Sequence, residues 1–251
     1  MKIALLNDTH FGARNDSLIF DDYFHKFYDD IFFPYLKEHN IKTLIHLGDI
    51  VDRRKFINYK IAHNFRHKFL QKLWSEKIDT HIIIGNHDIY FRNTNKVNAV
   101  QELCTTHDGI NEPWIYEEAK VVEFDGTKIL MLPWINPENE TESLEICKTA
   151  EADVCMVEFG GTVGDIESMP FMEAGRLLSR EEGKENVMYI HTTLVPVVGS
   201  VGEQKTKPTQ HSIKELQGLG IRPDIIVGRS NNMLEEDIAT KIAFFADIVS
   251  S

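Results

Sequence analysis

Short apolar runs alternate with longer stretches of helical periodicity through the first 155 residues. They predict strand Lys2–Leu6, helix Phe20–His39, strand Thr43–Leu47, helix Asn58–Ser75 and strand His81–Ile84. A βαβαβ series of this kind implies a parallel sheet with helical crossovers. Val97–Thr105 predicts a short helix, and Lys120–Phe124 and Lys128–Leu132 flank Asp125-Gly126, a strong hairpin signal. Glu142–Thr149 follows as a helix, then an apolar strand Val154–Phe159, a glycine-rich turn and helix Pro170–Arg180. The remainder reads as strand Val187–His191, loop Gly202–Thr209, helix Gln210–Leu219, strand Asp224–Val227 and helix Leu234–Phe245.

Composition narrows the class. With 251 residues, 42% hydrophobic and 26% charged, the chain is long enough for one large or two small globular domains. No apolar run approaches a membrane span, and Met1–Leu6 is too short for a signal-peptide core, so a cytoplasmic location without membrane contact is expected. Cys104, Cys147 and Cys155 have no paired metal-binding spacing; their odd number suits buried thiols in a reducing compartment. A net charge of −12 argues against a broad basic face for nucleic acid. Arg53-Arg54-Lys55 is the local exception, either a phosphate contact or a solvated basic loop.

Three predicted strand ends carry the chemistry: Asn7-Asp8-Thr9-His10, Gly48-Asp49-Ile-Val-Asp52 and Gly85-Asn86-His87-Asp88. Ligands of open α/β sheets bind beyond the carboxyl ends of the strands. Carboxylate, imidazole and amide oxygen together suit Mn²⁺, Mg²⁺ or Fe²⁺ better than a thiolate zinc site does. Asp49 is placed to bridge two ions in a two-metal arrangement.

These motifs resemble the calcineurin-like metallophosphoesterases. Asp52-Arg-Arg-Lys55 and the Phe124-Asp-Gly…Leu132-Pro-Trp134 hairpin resemble the SbcD-type recombination nucleases, especially the T-even phage endonuclease subunit, over about residues 1–155. The resemblance implies that Asp8, His10 and Asp49 hold one metal and that Asp49 and Asn86 hold the second. It also implies that His87 protonates the leaving oxygen and that Asp88 orients His87. A dinuclear Mn²⁺ or Mg²⁺ centre, DNA and an SbcC-type ATPase partner follow. The family's downstream Gly-His and Gly-His-x-His are missing: the strand at Ala152–Met156 continues into Val157-Glu158-Phe159-Gly160-Gly161, and neither His191 nor His211 follows a glycine. Weak or absent metal binding is therefore expected.

The second half carries a different pattern. Gly160-Gly-Thr-Val-Gly-Asp-Ile-Glu-Ser168, Leu194-Val-Pro, Lys205-Thr-Lys-Pro-Thr-Gln-His-Ser-Ile-Lys-Glu-Leu216, Gly220-Ile-Arg-Pro-Asp-Ile-Ile226 and Arg229-Ser230 resemble the amidoligase domain of CTP synthases, over about 157–248. The resemblance implies an Mg²⁺ carboxylate at Glu158. It implies a UTP/CTP pocket from Asp165, Ile166, Glu167, Lys205, Thr206, Lys207, Pro208, Thr209, Gln210 and Lys241, and homo-oligomeric assembly. Met1–Gly12 holds no glycine-rich P-loop with a lysine for ATP, and no glutaminase domain follows, so nucleotide binding without turnover is expected.

The expected fold is α/β, a parallel-sheet metallophosphoesterase half (1–155) joined to part of a P-loop-like CTP synthase amidoligase domain (156–251). The seam falls inside the strand near Glu151–Val157, set in the middle of a continuous or two-lobed sheet. The leading functional expectation is an SbcD-type phosphoesterase or DNA nuclease with an incomplete dinuclear site. The alternatives are a UTP- or CTP-binding CTP synthase fragment and a chimeric product in which neither site works.

Overall fold

The computed structural model describes residues 1–251 except 105–111, 158, 167, 199–202, 250 and 251. The chain divides into two compact units, Met1–Glu158 and Phe159–Ser251. No helix among the described residues is long and apolar enough to cross a membrane.

The first unit is built on four parallel strands, β1 (Ile3–Leu6), β2 (Thr43–His46), β3 (Asp79–Ile83) and β4 (Trp114–Tyr116), in that spatial order. Every residue of β2 is buried, as expected for an inner strand covered on both faces. Alternation along the strand sends neighbours to opposite cores. Leu44 and Ile82 pack with Ile61, Phe65, Phe69 and Leu73 of the helical run 59–75, and with Tyr28, Phe33 and Leu36 of the run 18–38. Ile45 and Ile83 turn the other way, onto Tyr116, Phe124, Ile129 and Met131. Each such side chain contributes about 1.5–3 kcal/mol when fully buried.

That second core is closed by a smaller sheet. β5 (Lys120–Phe124) and β6 (Thr127–Met131) form the expected hairpin around Asp125-Gly126, with Phe124 opposite Thr127. β7 (Val154–Cys155) adds in parallel to β6 through Ile129↔Val154 and Leu130↔Cys155. The strand order β5-β6-β7 puts β7 at an edge, so the strand expected in the middle of a sheet is a two-residue edge strand instead. Both residues of β7 are exposed: the run is apolar, but no second strand covers it among the described residues. Cys147 and Cys155 are exposed rather than buried thiols, and Cys104 is buried as expected.

The second unit pairs β8 (Ile190–Leu194) with β11 (Ile225–Arg229) in parallel, Ile190 opposite Ile225. A short antiparallel pair, β9 (Val197–Val198) and β10 (Glu203–Gln204), lies between them in sequence. β8 begins three residues later than the apolar pattern indicates. The Asp224 carboxylate accepts the Tyr189 N–H at 2.7 Å and so holds the preceding residues outside the ladder. Helices Met169–Glu182, Lys207–Gly218 and Glu236–Ala246 supply the other layer. Val195, Ile213, Ile242 and Ala246 form one core, and Met172, Leu216 and Ile221 a second.

Candidate functional site

In the first unit, the loops after β1, β2 and β3 converge at the carboxyl edge of the sheet. Gly48 has φ +108°, and a Cβ there would lie 2.8 Å from the Gly85 backbone. A Cβ on Gly85 would in turn lie 2.4 Å from the Asp49 amide nitrogen. Two glycines are therefore required for the second and third loops to approach this closely. Asp8, His10 and Asp49 all adopt positive φ, 51°, 41° and 54°, a conformation that costs non-glycine residues energy and is maintained only by surrounding contacts. Those contacts are backbone hydrogen bonds from His10 N–H to Asp49 C=O at 3.1 Å and from Phe11 N–H to Ile50 C=O at 2.7 Å.

Asp8, His10 and Asp49 come together, with one ligand atom from each lying within 4.8 Å of the others. His10 Nε2 is 3.3 Å from the Asp8 carboxylate. That hydrogen bond raises the His10 pKa, against the opposing effect of burial. Burial raises the Asp49 carboxyl pKa, and the His87 N–H, donating to Asp49 Oδ1 at 2.8 Å, pulls it back. The His10 and His87 rings meet edge to face at 4.9 Å.

The expected pairing of Asp88 with His87 does not occur. His87 Nδ1 instead lies 2.6 Å from the Asp52 carbonyl, which can only accept, so Nδ1 carries the proton. The Asp88 carboxylate, fully buried, accepts backbone N–H groups from Asp49 (2.9 Å), Ile50 (2.8 Å), Val51 (3.2 Å) and Gly85 (2.9 Å). It ties the β2 and β3 loops together. This role was not legible from sequence, since a Gly-Asn-His-Asp string shows a possible partner for the imidazole but not the amides folded around it. Asn86 follows Gly85 in the same loop, half-buried.

In the second unit, Thr206 stands at the N-cap of Lys207–Gly218 without a capping side-chain bond, and Pro208 occupies the first turn. Lys205 pairs with Glu203 at 2.6 Å. Lys205 N–H donates to the Pro196 carbonyl at 2.9 Å. Thr209 is buried, its hydroxyl donating to the Leu194 carbonyl at 3.0 Å. Gln210 Nε2 donates to Thr206 Oγ1 at 3.3 Å. Thr209 and Gln210 thus hold the loop. The loop is further pinned by Gln204, whose side chain donates to the Met233 carbonyl and accepts the Glu235 N–H. Asp165 and Ile166 lie in the turn before helix Met169–Glu182, and the Asp165 carbonyl accepts from the Ser168 hydroxyl at 2.9 Å. Ile166 is largely exposed. Lys241 lines an open groove together with Glu236, Asp237, Thr240 and Phe244. Glu158 and Glu167 lie outside the described residues. His191 Nε2 meets Ser212 Oγ at 3.0 Å, a structural contact.

Comparison with known proteins matches residues 76–251 to the family described as CTP synthase N-terminus. Among curated proteins, the CTP synthase of Pyrococcus horikoshii is 50% identical over 134 residues, 53% of this chain and 25% of that protein. The CTP synthase of Carboxydothermus hydrogenoformans is 52% identical over 126 residues, 50% of this chain and 24% of that protein. The chain thus spans about a quarter of the length of the curated relatives it matches. A solved structure of a protein of unknown function from Aquifex aeolicus covers 61% of this chain and 75% of its own at 19% identity, with a TM-score of 0.35, too low to show a shared fold.

The family match overturns the expectation of an SbcD-type DNA nuclease with DNA and an SbcC-type ATPase as partners. It runs from residue 76 across 151–157, where a change of family was expected. Carboxylates and imidazoles at strand ends recur on many α/β folds, so the motif does not by itself carry an activity.

Proposed function

Because the chain belongs to the CTP synthase N-terminus family, we propose that the second unit binds the triphosphate of UTP or CTP with Mg²⁺. The observation that carries this reading is the uncapped N-terminus of Lys207–Gly218, a 12-residue helix whose first N–H groups have no side-chain acceptor at Thr206. Lys205 and Lys207 stand beside it. A helix N-terminus favours anions, and two ammonium groups add point charges for phosphate oxygens. Asp165 and Ile166 are proposed to line the pocket and Lys241 to contribute a further cation; the resemblance assigns Glu158 and Glu167 to the same ligand, and both lie outside the described residues. The relatives are named as synthases, and ligation of ammonia to UTP with assembly into oligomers is the activity to which such a pocket belongs.

Calorimetric titration with UTP and Mg²⁺ tests the reading. Lys205→Ala with Lys207→Ala is expected to weaken binding at least 30-fold, since two charge-assisted phosphate contacts are lost, each about 1.5–3 kcal/mol when fully formed. Equal heats in wild type and the double variant would refute it.

A second reading concerns the first unit, where the clustering of Asp8, His10 and Asp49 favours a single hard divalent cation. Two carboxylates and one imidazole match Mn²⁺ or Mg²⁺, with water filling the remaining positions. Bound, such an ion would favour the ionised form of Asp49, whose pKa burial raises. Mn²⁺ binding followed by electron paramagnetic resonance is expected to weaken at least tenfold in Asp49→Asn, and binding unchanged by that substitution would eliminate the site.

A further inference from the structure

We propose that His63 and His67 form a two-imidazole site for a borderline divalent transition metal, Cu²⁺, Ni²⁺ or Zn²⁺, on the exposed face of the helical run 59–75. Residues four apart on a helix share a face, and here the two rings stand 4.2 Å apart, centroid to centroid. Both side chains are exposed, while Ile61, Asn64 and Phe65 beneath them are buried. The backbone that carries the pair is therefore anchored in the core, and the rings are offered from a fixed scaffold.

A second contact prepares one ring for a metal. His67 Nδ1 lies 3.1 Å from Gln71 Oε1. An amide oxygen only accepts, so Nδ1 bears the proton and Nε2 keeps its lone pair. An outer hydrogen bond that fixes the tautomer of a histidine in this way is a recurrent feature of metal sites.

The same surroundings choose among metals. Lys60 and Lys68 repel any cation held by charge alone, which disfavours Mg²⁺ and Ca²⁺. Ions that bond strongly to imidazole nitrogen, at about 2.0–2.1 Å for Zn²⁺, repay that repulsion, and Cu²⁺ most of all. This site shares no residue with Asp8, His10 and Asp49, and its donors are two imidazoles with no carboxylate.

The test uses the full chain without an affinity tag. Ni²⁺ titration followed by calorimetry is expected to lose at least tenfold in affinity in His63→Ala and in His67→Ala, and two- to fivefold in Gln71→Ala. Repeating the series in the Asp49→Asn background, where the separate Asp8, His10 and Asp49 cluster is weakened, is expected to give the same losses. With one equivalent of Cu²⁺, electron paramagnetic resonance should show coupling to two imidazole nitrogens in the wild type and to one in either histidine variant. Circular dichroism establishes that these surface variants remain folded. Wild-type Ni²⁺ affinity in either histidine variant, or a wild-type Cu²⁺ spectrum with a single coupled nitrogen, would overturn the proposal.

Discussion

Asp88→Ala is expected to cost about 4 kcal/mol or more of folding stability, the largest single-substitution effect expected in the first unit. The substitution leaves the N–H groups of Asp49, Ile50, Val51 and Gly85 without their acceptor. An unsatisfied buried donor costs about 1–3 kcal/mol, and water entering the vacated space would recover only part of the total. Asp88→Asn should fall between, at about 2–3 kcal/mol, because one oxygen can still serve Ile50 and Val51 while the amide NH₂ meets the remaining donors. His87→Ala, which leaves all four bonds in place, separates this role from service to the imidazole. Urea unfolding followed by circular dichroism measures all three. A loss below about 1 kcal/mol for Asp88→Ala would show that the carboxylate does not hold the loops.

Stability is also expected to rise with pH between about 4.5 and 6.5, by about 2 kcal/mol from pH 5 to pH 7 through His46 alone. His46 is buried in β2, and its Nδ1 accepts the Gly48 N–H at 3.2 Å. Nε2 therefore carries the proton and donates to Thr9 Oγ1 at 3.1 Å. A second proton would break the Gly48 contact and place a charge in the core, and burial lowers the His46 pKa to about 3. The unfolded chain binds that proton near 6.5. Between those values the unfolded state holds one more proton, so stability grows as pH rises. His81, lowered to about 4 by burial, acts in the same direction.

Asp88 acts in the opposite sense. Burial raises its pKa to about 6, the N–H donors pulling back, so its contribution is complete below about 4 and is lost as pH rises through 6. Asp49, also raised by burial, acts with Asp88, and His191, lowered by burial, acts with His46 and His81. His46→Gln removes one proton from the balance and should lower the slope by up to ~1.4 kcal/mol per pH unit across the shared window. A His46→Gln profile as steep as the wild type would show that His46 does not drive it.

Much of the architecture was legible along the chain. The β1–β3 alternation and the Asp125-Gly126 hairpin follow from local rules of periodicity and turn chemistry. The meeting of Asp8, His10 and Asp49 was legible too, because parallel strands deliver their carboxyl ends to one edge. The placement of β7 was not. A five-residue apolar run is compatible with an inner strand or an edge, and only the pairing with β6 decides between them. Nor did the Lys205–Gln210 run show that Thr209 is buried in the fold, since one spacing serves a ligand or a loop equally well.

Sequence by itself determined the alternation of strands and helices, the polar ends of β1, β2 and β3, and a resemblance to CTP synthases over about 157–248, which the family match extends to 76–251. Those are properties of short windows, set by side-chain periodicity and residue identity. Tertiary structure alone decided which groups share a hydrogen bond or a contact: Asp88 with four amides instead of His87, Lys205 with Glu203, and His67 with Gln71 beside His63. Such partnerships depend on distances of a few ångströms between loops or rotamers, and distance in space is what a linear order of residues leaves open.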